Sequence, residues 1–282
     1  MSGRFPDFLC VGVQKGGTTW LHAMLEAHPN VWVPPVKELY YFNQIYITEH
    51  REWPADHRRN AGLSILQNLV KQGANVDFEM IRAIAEICRA GNFVNDEWYR
   101  GIFALAPHDA LVGEVTPDYC LLPLQGIRHI LGYRHDIKIL LILRDPIERA
   151  WSQVRMKLKE PPATWPEVMA ALKDPYVLAR GEYQTILPRW SALIPAENIK
   201  VLMFDDIASQ PAEFLMSVCD FLGLPYEANY FPRQEEKILG GVPAAIPDAV
   251  YKLLRAKYER DIKYVAEQYG GSSKEWLARH YG

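Results

Sequence analysis

Eight consecutive residues near the start of the chain, Gly12-Val13-Gln14-Lys15-Gly16-Gly17-Thr18-Thr19, bring together a lysine, adjacent glycines and adjacent hydroxyls. Gly16 and Gly17 let backbone N–H groups curl round an anion, and a helix starting near Thr18 would aim the positive end of its dipole at the same point. Phosphate binding is the chemistry that suits this combination. The loop is not the Walker form GxxxxGK[ST]: with Gly12 and Gly17 on the template glycines, Thr18 falls where the lysine belongs, and Lys15 comes earlier. A second cationic position follows the apolar run Lys138 to Leu143, at Arg144-Asp145-Pro146. Arg144 stands where a magnesium-binding aspartate would end a Walker B strand; its planar fork suits phosphate, and Ser152 adds a hydroxyl. Two anion sites of this kind imply a nucleotide phosphorylated at two positions.

These groups need elements to position them. Phe8 to Val13 is a short continuous apolar run, expected to be a buried strand that feeds the glycine loop, with a helix from Thr18 to about Ala27 stopped by His28-Pro29. Leu111 to Val115, Lys138 to Leu143 and Ile199 to Phe204 are further strands of the same continuous kind, which indicates a parallel sheet covered on both faces. Helices are expected at about 63–72, 77–90, 123–132, 146–159, 181–193, 211–222 and 247–268, with Pro188 bending the fifth or resetting its start. The stripe Tyr251, Leu254, Tyr258, Ile262 and Val265 has helical spacing and belongs to the core. The expected architecture is an α/β, P-loop-like three-layer fold with a central parallel sheet. A helical insertion spans about 44–110, and residues 1–282 form one domain. The insertion carries His50, Trp53, His57, Trp98 and Tyr99 and is placed to roof a ligand site.

Composition narrows the function classes. The chain has 282 residues, with 31 Lys+Arg against 34 Asp+Glu and a net charge of -3, so no overall basic excess marks a nucleic-acid or membrane-surface binder. Positive charge is instead local: residues 128–160 hold eight Lys+Arg against four Asp+Glu. The four cysteines, Cys10, Cys88, Cys120 and Cys219, have neither disulfide-framework nor metal-ligand spacing, and no metal site is expected. With no apolar N-terminal stretch before a small-residue cleavage site and no run of 18 apolar residues, neither a secretion signal nor a membrane span is expected, and the cytoplasm is the expected location.

At this point the chain resembles the sulfotransferases that use 3'-phosphoadenosine 5'-phosphosulfate (PAPS). VGVQKGGTTWL is similar to their 5'-phosphosulfate loop and LRDPIERAWSQ to their 3'-phosphate motif. Lys37-Glu38-Leu-Tyr-Tyr-Phe42, Gly113-Glu114-Val-Thr-Pro117-Asp-Tyr119, Arg180-Gly181-Glu-Tyr183 and MFDDIASQPAEFLMSVCDFLGL follow in the family's order. The branch that the chain most resembles holds the heparan sulfate N- and 3-O-sulfotransferase domains and many bacterial enzymes. Val115 departs from several glycan-modifying relatives, which carry a lysine there.

The resemblance implies a role for each matching position. Lys15 would contact the 5'-phosphosulfate and stabilise the leaving phosphate. Gly16, Gly17, Thr18 and Thr19 would cradle the 5'-phosphate, Arg144 and Ser152 would hold the 3'-phosphate, and Tyr183 joins the nucleotide-binding set. Lys237, Gly240 and Gly241 occupy the place of the loop that closes over the nucleotide. Glu38 matches the general base, and burial at a dry cleft mouth is expected to raise its pKa. A surface pair of Lys37 with Glu38 is the plain alternative. His22, His28, His50, His57 and His108 are rival bases by analogy with the aryl and steroid sulfotransferases. Tyr40, Tyr41, Phe42, Trp53, Trp98 and Tyr99 offer rings to an acceptor or to the core.

PAPS as co-substrate, PAP as product and a hydroxyl or amine of a saccharide or small molecule as acceptor follow from the same resemblance. The negative net charge favours a neutral or small acceptor over a densely sulfated polymer. A small-molecule or nucleotide kinase with a degenerate Walker loop, and a non-catalytic nucleotide-binding module, remain as alternatives.

Overall fold

The computed structural model describes residues 3–73, 77–158, 164–236, 238 and 245–282. Five strands, β1 (Phe8–Gly12), β2 (Val31–Trp32), β3 (Leu111–Val115), β4 (Lys138–Leu143) and β5 (Ile199–Met203), form one sheet in the order β2-β3-β1-β4-β5. Every pairing is parallel; Cys10 stands opposite Val115 on one side and Leu140 on the other. The helices in chain order are α1 (Thr18–Ala27), α2 (Tyr41–Tyr46), α3 (Trp53–Lys71), α4 (Phe78–Arg89), α5 (Asp96–Phe103), α6 (Leu124–Tyr133) and α7 (Pro146–Leu158). They continue with α8 (Trp165–Leu172), α9 (Pro175–Ala179), α10 (Tyr183–Ser191), α11 (Phe204–Ser209), α12 (Pro211–Leu222), α13 (Asp248–Tyr269) and α14 (Ser272–Tyr281).

The continuous apolar strands arise because both faces of the sheet are covered. Leu9, Val11, Ile139, Leu141 and Leu143 point into one hydrophobic cluster together with Val154, Trp190, Tyr258 and Trp276 from the helices on that side. Phe8, Cys10, Leu140 and Ile142 point into the other, against Leu21 and Met24 of α1 and Phe214 and Val218 of α12. Successive residues of β4 therefore serve opposite layers, and at about 1.5–3 kcal/mol per fully buried large side chain neither face tolerates a polar residue. This is the expected three-layer arrangement around a parallel sheet.

The strand order reverses beside β1: the chain goes from β1 towards β2 and β3 on one side, then returns to place β4 and β5 on the other. In open α/β sheets the crevice at the carboxyl ends of the strands on either side of such a reversal is where ligands bind. Here that crevice is bounded by the loop after β1 and the exit of β4.

Several elements escaped the sequence pattern. β2 is only two residues long, α2, α9 and α11 are too short for two full turns of periodicity to show, and α5, at eight residues, barely exceeds two. α3 begins ten residues before the expected start, at Trp53-Pro54, where proline fits a first-turn position. α14 was also unexpected. Pro188 lies inside α10, which runs from Tyr183 through it to Ser191.

Candidate active site

The loop after β1 is shaped by close approach. The Val13 amide donates to the Ile142 carbonyl at 2.9 Å, and the Gly16 amide turns back to the Val13 carbonyl at 2.9 Å. A Cβ on Gly16 would stand 2.8 Å from both carbonyl oxygens, so no side chain fits there. Gly17 caps α1 with φ 86°, and a Cβ on it would also press on Phe204 and Ile207. The loop thus folds back towards β4 and presents the first turn of α1, beginning at Thr18 and Thr19, to the crevice. A glycine cradle at a helix N-terminus is a ready anion site.

Lys15 sits in this loop with φ 70°, in the left-handed region that non-glycine residues seldom occupy. Its Nζ lies 3.9 Å from the Met156 sulfur on α7. Burial, with the nearby positive charges of Arg144 and Arg155, pulls the ammonium below its ordinary pKa, and Glu38 partly opposes this. A lysine crowded by other cations is electrostatically unsatisfied until an anion arrives.

Arg144 leaves β4 beside it. Its Nη1 donates to the Lys15 carbonyl at 3.0 Å, and its guanidinium lies over the Phe204 ring at 4.5 Å. Tyr183, expected among the nucleotide contacts, is fully buried. Its hydroxyl donates to the Arg144 carbonyl at 2.5 Å and receives the Arg144 amide at 3.3 Å, so it fixes Arg144 from behind. The neighbouring Asp145 caps α7 by accepting from Ile147 at 3.0 Å, and its other oxygen faces His280 Nε2 at 2.6 Å. Ser152 is half-buried on α7, about two turns from the helix start. Lys237, Gly240 and Gly241 lie outside the described residues.

Glu38 sits between β2 and α2 with φ 66°, and Tyr40 follows at φ 57°. The Leu39 carbonyl between them accepts from Arg58 Nη1 at 2.8 Å; the same buried guanidinium also reaches Gln44 and the Gly91 carbonyl. One carboxylate oxygen of Glu38 accepts from Lys37 and the other from Tyr40. Burial alone would raise this carboxyl, but the Lys37 charge and hydrogen bond, the Tyr40 hydroxyl and the charge of His57 together hold it below the usual range. The expected upward shift is therefore corrected: the donors outweigh desolvation. Lys37 and Glu38 do pair, but in a half-buried position, not on an open surface.

Between the loop after β1 and the helical insertion opens a cleft of about 310 Å³, lined by Gln14, His50, Trp53, Asp118, Met156 and Arg180 among others. Met156 joins it to Lys15. On the far side the Trp53 ring meets the Tyr40 ring edge-on at 4.5 Å, and Tyr40 carries the hydrogen bond to Glu38. Arg180 grips Asp118 with two hydrogen bonds, Nε to Oδ1 at 2.5 Å and Nη2 to Oδ2 at 2.9 Å. Burial works against the guanidinium, but Asp118 outweighs it and holds the proton more tightly than usual.

The histidines separate. His22 is buried under Pro34, whose carbonyl accepts from Nε2 at 3.1 Å, and burial with the Lys37 charge pushes its pKa down to about 4. His28 ends α1 and reaches the Pro225 carbonyl at 2.9 Å. His57 contacts the Lys37 carbonyl at 3.2 Å, while His108 is exposed beside Asp109. Only His50 lines the cleft. Glu114, at the end of β3, accepts from Tyr99 and Thr116 at 2.5 Å and from Tyr119 at 2.9 Å, so it ties the insertion to the sheet. Tyr41, Phe42, Trp98 and Tyr99 are core, and Trp53 is the ring of that set left open.

Gln14, Arg58, Tyr176 and Phe204 were not singled out from the sequence. Gln14 was in plain view inside the loop, but Arg58 and Tyr176 gain their roles only through contacts distant in sequence. Among the described residues there is no cluster of three or more His, Cys, Asp and Glu able to hold a metal ion, and no helix is long and apolar enough to cross a membrane.

Comparison with known proteins agrees with this geometry. The model of the sulfotransferase family matches residues 6–228. Mouse heparan sulfate glucosamine 3-O-sulfotransferase 6 is 24% identical over 229 residues, covering 78% of this chain and 53% of that protein. The membrane-associated sulfotransferase kil1 of Dictyostelium discoideum is 27% identical over 154 residues, covering 55% and 23% respectively. The chain thus spans about half the length, or less, of these curated relatives. Among solved structures, a sulfotransferase from Alicyclobacillus acidocaldarius superposes with a TM-score of 0.65 at 19% identity, covering 96% of this chain and 98% of its own. Mouse sulfotransferase SULT7A1 complexed with PAP gives 0.54 at 12% identity, covering 98% and 90%. With the glycine cradle, Lys15 and Arg144 in one crevice and the family model spanning most of the sequence, the chain belongs to the sulfotransferase family.

Proposed function

We propose that this chain transfers a sulfuryl group from PAPS to a hydroxyl or amine of a saccharide or small-molecule acceptor, with Glu38 as general base and Lys15 stabilising the leaving phosphate. The observation that supports the reading is that Lys15 and Glu38, both on left-handed backbone, are near enough for the Glu38 charge to act on the Lys15 ammonium. The residues present suit a bisphosphorylated nucleotide: a cradle too tight for a Cβ at Gly16, and two cations, Lys15 and Arg144, at its rim.

Bound PAPS would supply the sulfuryl group and leave as PAP. Glu38, held ionised by Lys37 and Tyr40, takes the proton of the acceptor as the new S–O or S–N bond forms. Lys15, the loop amides and the start of α1 meet the charge that grows as the S–O bond to the phosphate breaks. Such base catalysis is worth about 10²- to 10⁴-fold. Arg144 and Ser152 hold the second phosphate, and Tyr183 keeps Arg144 in place.

A kinase reading fits less well. Asp145, the carboxylate beside the β4 exit, caps α7 and faces His280, so it is not available in the way a metal-binding strand-end aspartate must be. A thermal-shift comparison of PAP with ATP and magnesium tests the choice: stabilisation by PAP alone is expected, and stabilisation by ATP with magnesium alone would overturn it. Glu38→Gln should abolish turnover and keep PAP binding. Retained turnover removes Glu38 from the mechanism.

A further inference from the structure

The lining of the cleft speaks to the class of acceptor, an inference that rests on the sulfuryl-transfer reading above. Its charged side chains are already engaged with one another. Arg180 is locked to Asp118, Lys157 pairs with Asp174, and Glu49 accepts the Tyr176 hydroxyl at 2.6 Å. Among the described lining residues every cation has its carboxylate, and three carboxylates face two cations. A sulfated or carboxylated polymer entering here would meet a slightly negative wall and, among the described lining residues, no cation without a carboxylate partner.

The polar atoms left without a partner are neutral ones. Gln14 Oε1 and His50 Nδ1 are buried, line the cleft and make no hydrogen bond. His50 is 4% exposed. Its Nδ1 lies 3.8 Å from Asp118 Oδ2, beyond hydrogen-bonding distance, and burial lowers its pKa, so the imidazole is neutral at neutral pH. A buried acceptor atom without a donor carries a desolvation cost that an incoming hydroxyl removes. Around these atoms stand rings: His50 packs against Tyr176 at 4.8 Å and Trp53 at 5.4 Å, and Trp53 is 38% exposed. An open indole is a platform for the flat face of a ring.

We propose that the acceptor is an uncharged, hydroxyl-bearing ring compound, stacked on Trp53 and hydrogen-bonded by Gln14 and His50, and not a polyanionic saccharide. Gln14 adjoins Lys15 in sequence, and Trp53 touches Tyr40, whose hydroxyl donates to Glu38, so a ring held by Gln14 and Trp53 is one residue removed from each of the two proposed reacting groups.

The test incubates the chain with PAPS and, in separate arms, a neutral alkyl glycoside, a simple phenol and heparan sulfate, with mass spectrometry reading the added SO₃. Transfer to the glycoside or the phenol, with heparan sulfate unmodified, is expected; which neutral arm reacts tells a sugar from an aromatic alcohol. Trp53→Ala should raise the acceptor KM about tenfold, the loss of one stacking face, with the thermal shift by PAP unchanged; Gln14→Leu should raise the acceptor KM by a similar factor through the loss of one hydrogen bond. Transfer to heparan sulfate with both neutral arms silent overturns the assignment. So does a protein that binds PAP and modifies no arm. A protein that neither binds PAP nor uses PAPS overturns the sulfuryl-transfer reading itself, and this assignment falls with it. An unchanged KM in both variants removes Gln14 and Trp53 from acceptor recognition and with them the proposed site.

Discussion

Arg144 Nη1 donates to the backbone carbonyl of Lys15 at 3.0 Å, so the residue leaving β4 holds in place the lysine that follows β1. The two cationic positions, separated by more than a hundred residues, are one unit. Arg144→Lys keeps the charge but loses the fork that can grip both this carbonyl and a phosphate. PAP affinity should fall about 10- to 100-fold, as for loss of one or two charge-assisted hydrogen bonds. Titration calorimetry with PAP reads this, and unchanged affinity would show that Arg144 does not touch the nucleotide.

Gly16→Ala probes the cradle. The added methyl would stand 2.8 Å from the Val13 and Ile142 carbonyl oxygens, both backbone atoms, so the loop must move. Stability should drop by about 1–3 kcal/mol, in the range of overpacking, and stabilisation by PAP should disappear. Denaturant melts with and without PAP separate the two effects. Wild-type stabilisation by PAP in the variant would mean that the loop is not the anion site.

The Tyr40 hydroxyl helps to keep Glu38 below the usual carboxylate range. With Glu38 as the base, the acid limb of kcat lies below the ordinary carboxylate pKa, and activity is lost only as pH falls through that lowered value. Tyr40→Phe removes one donor from the ionised form, so the carboxyl pKa rises and the acid limb moves to higher pH. A pH profile of kcat for both proteins checks the direction. An unmoved limb would assign the titration to another group.

His22 should govern part of the acid sensitivity of the fold. Its pKa is about 4 in the folded chain against an ordinary 6.5, so between these values the unfolded chain binds the extra proton. Stability from this residue is complete above pH 6.5 and is lost progressively as pH falls towards 4, by about 3 kcal/mol. His22→Gln retains a donor for the Pro34 carbonyl but cannot titrate, so its stability should change less over that window. Denaturant melts at several pH values measure it, and parallel curves for both proteins would refute it.

The parts of the molecule legible from sequence are those where local residue type dictates local geometry. KILLIL must be buried on both faces, GG after a strand must turn tightly, and Arg144-Asp145-Pro146 must leave a strand and enter a helix; β4, the cradle and α7 follow. The direction of the Glu38 shift was not legible, because it depends on the balance between burial and three neighbouring groups. Nor was the pairing of the Tyr183 hydroxyl with the Arg144 backbone, a contact between residues 39 apart in sequence. The cleft itself is assembled from the β1 loop, the insertion, the segment after β3, α7 and the stretch around α9, and no single stretch announces it.

Arg58 binds the Leu39 carbonyl between the two left-handed residues Glu38 and Tyr40, and it does so from α3, inside the insertion that roofs the cleft. The roof is therefore not an interchangeable module laid over a finished catalytic core. A lineage that exchanged this segment would have to supply a replacement for Arg58 in the same step, or the backbone between Glu38 and Tyr40 would lose its anchor. Point substitution within the roof leaves that anchor in place, whereas replacement of the roof has to rebuild it.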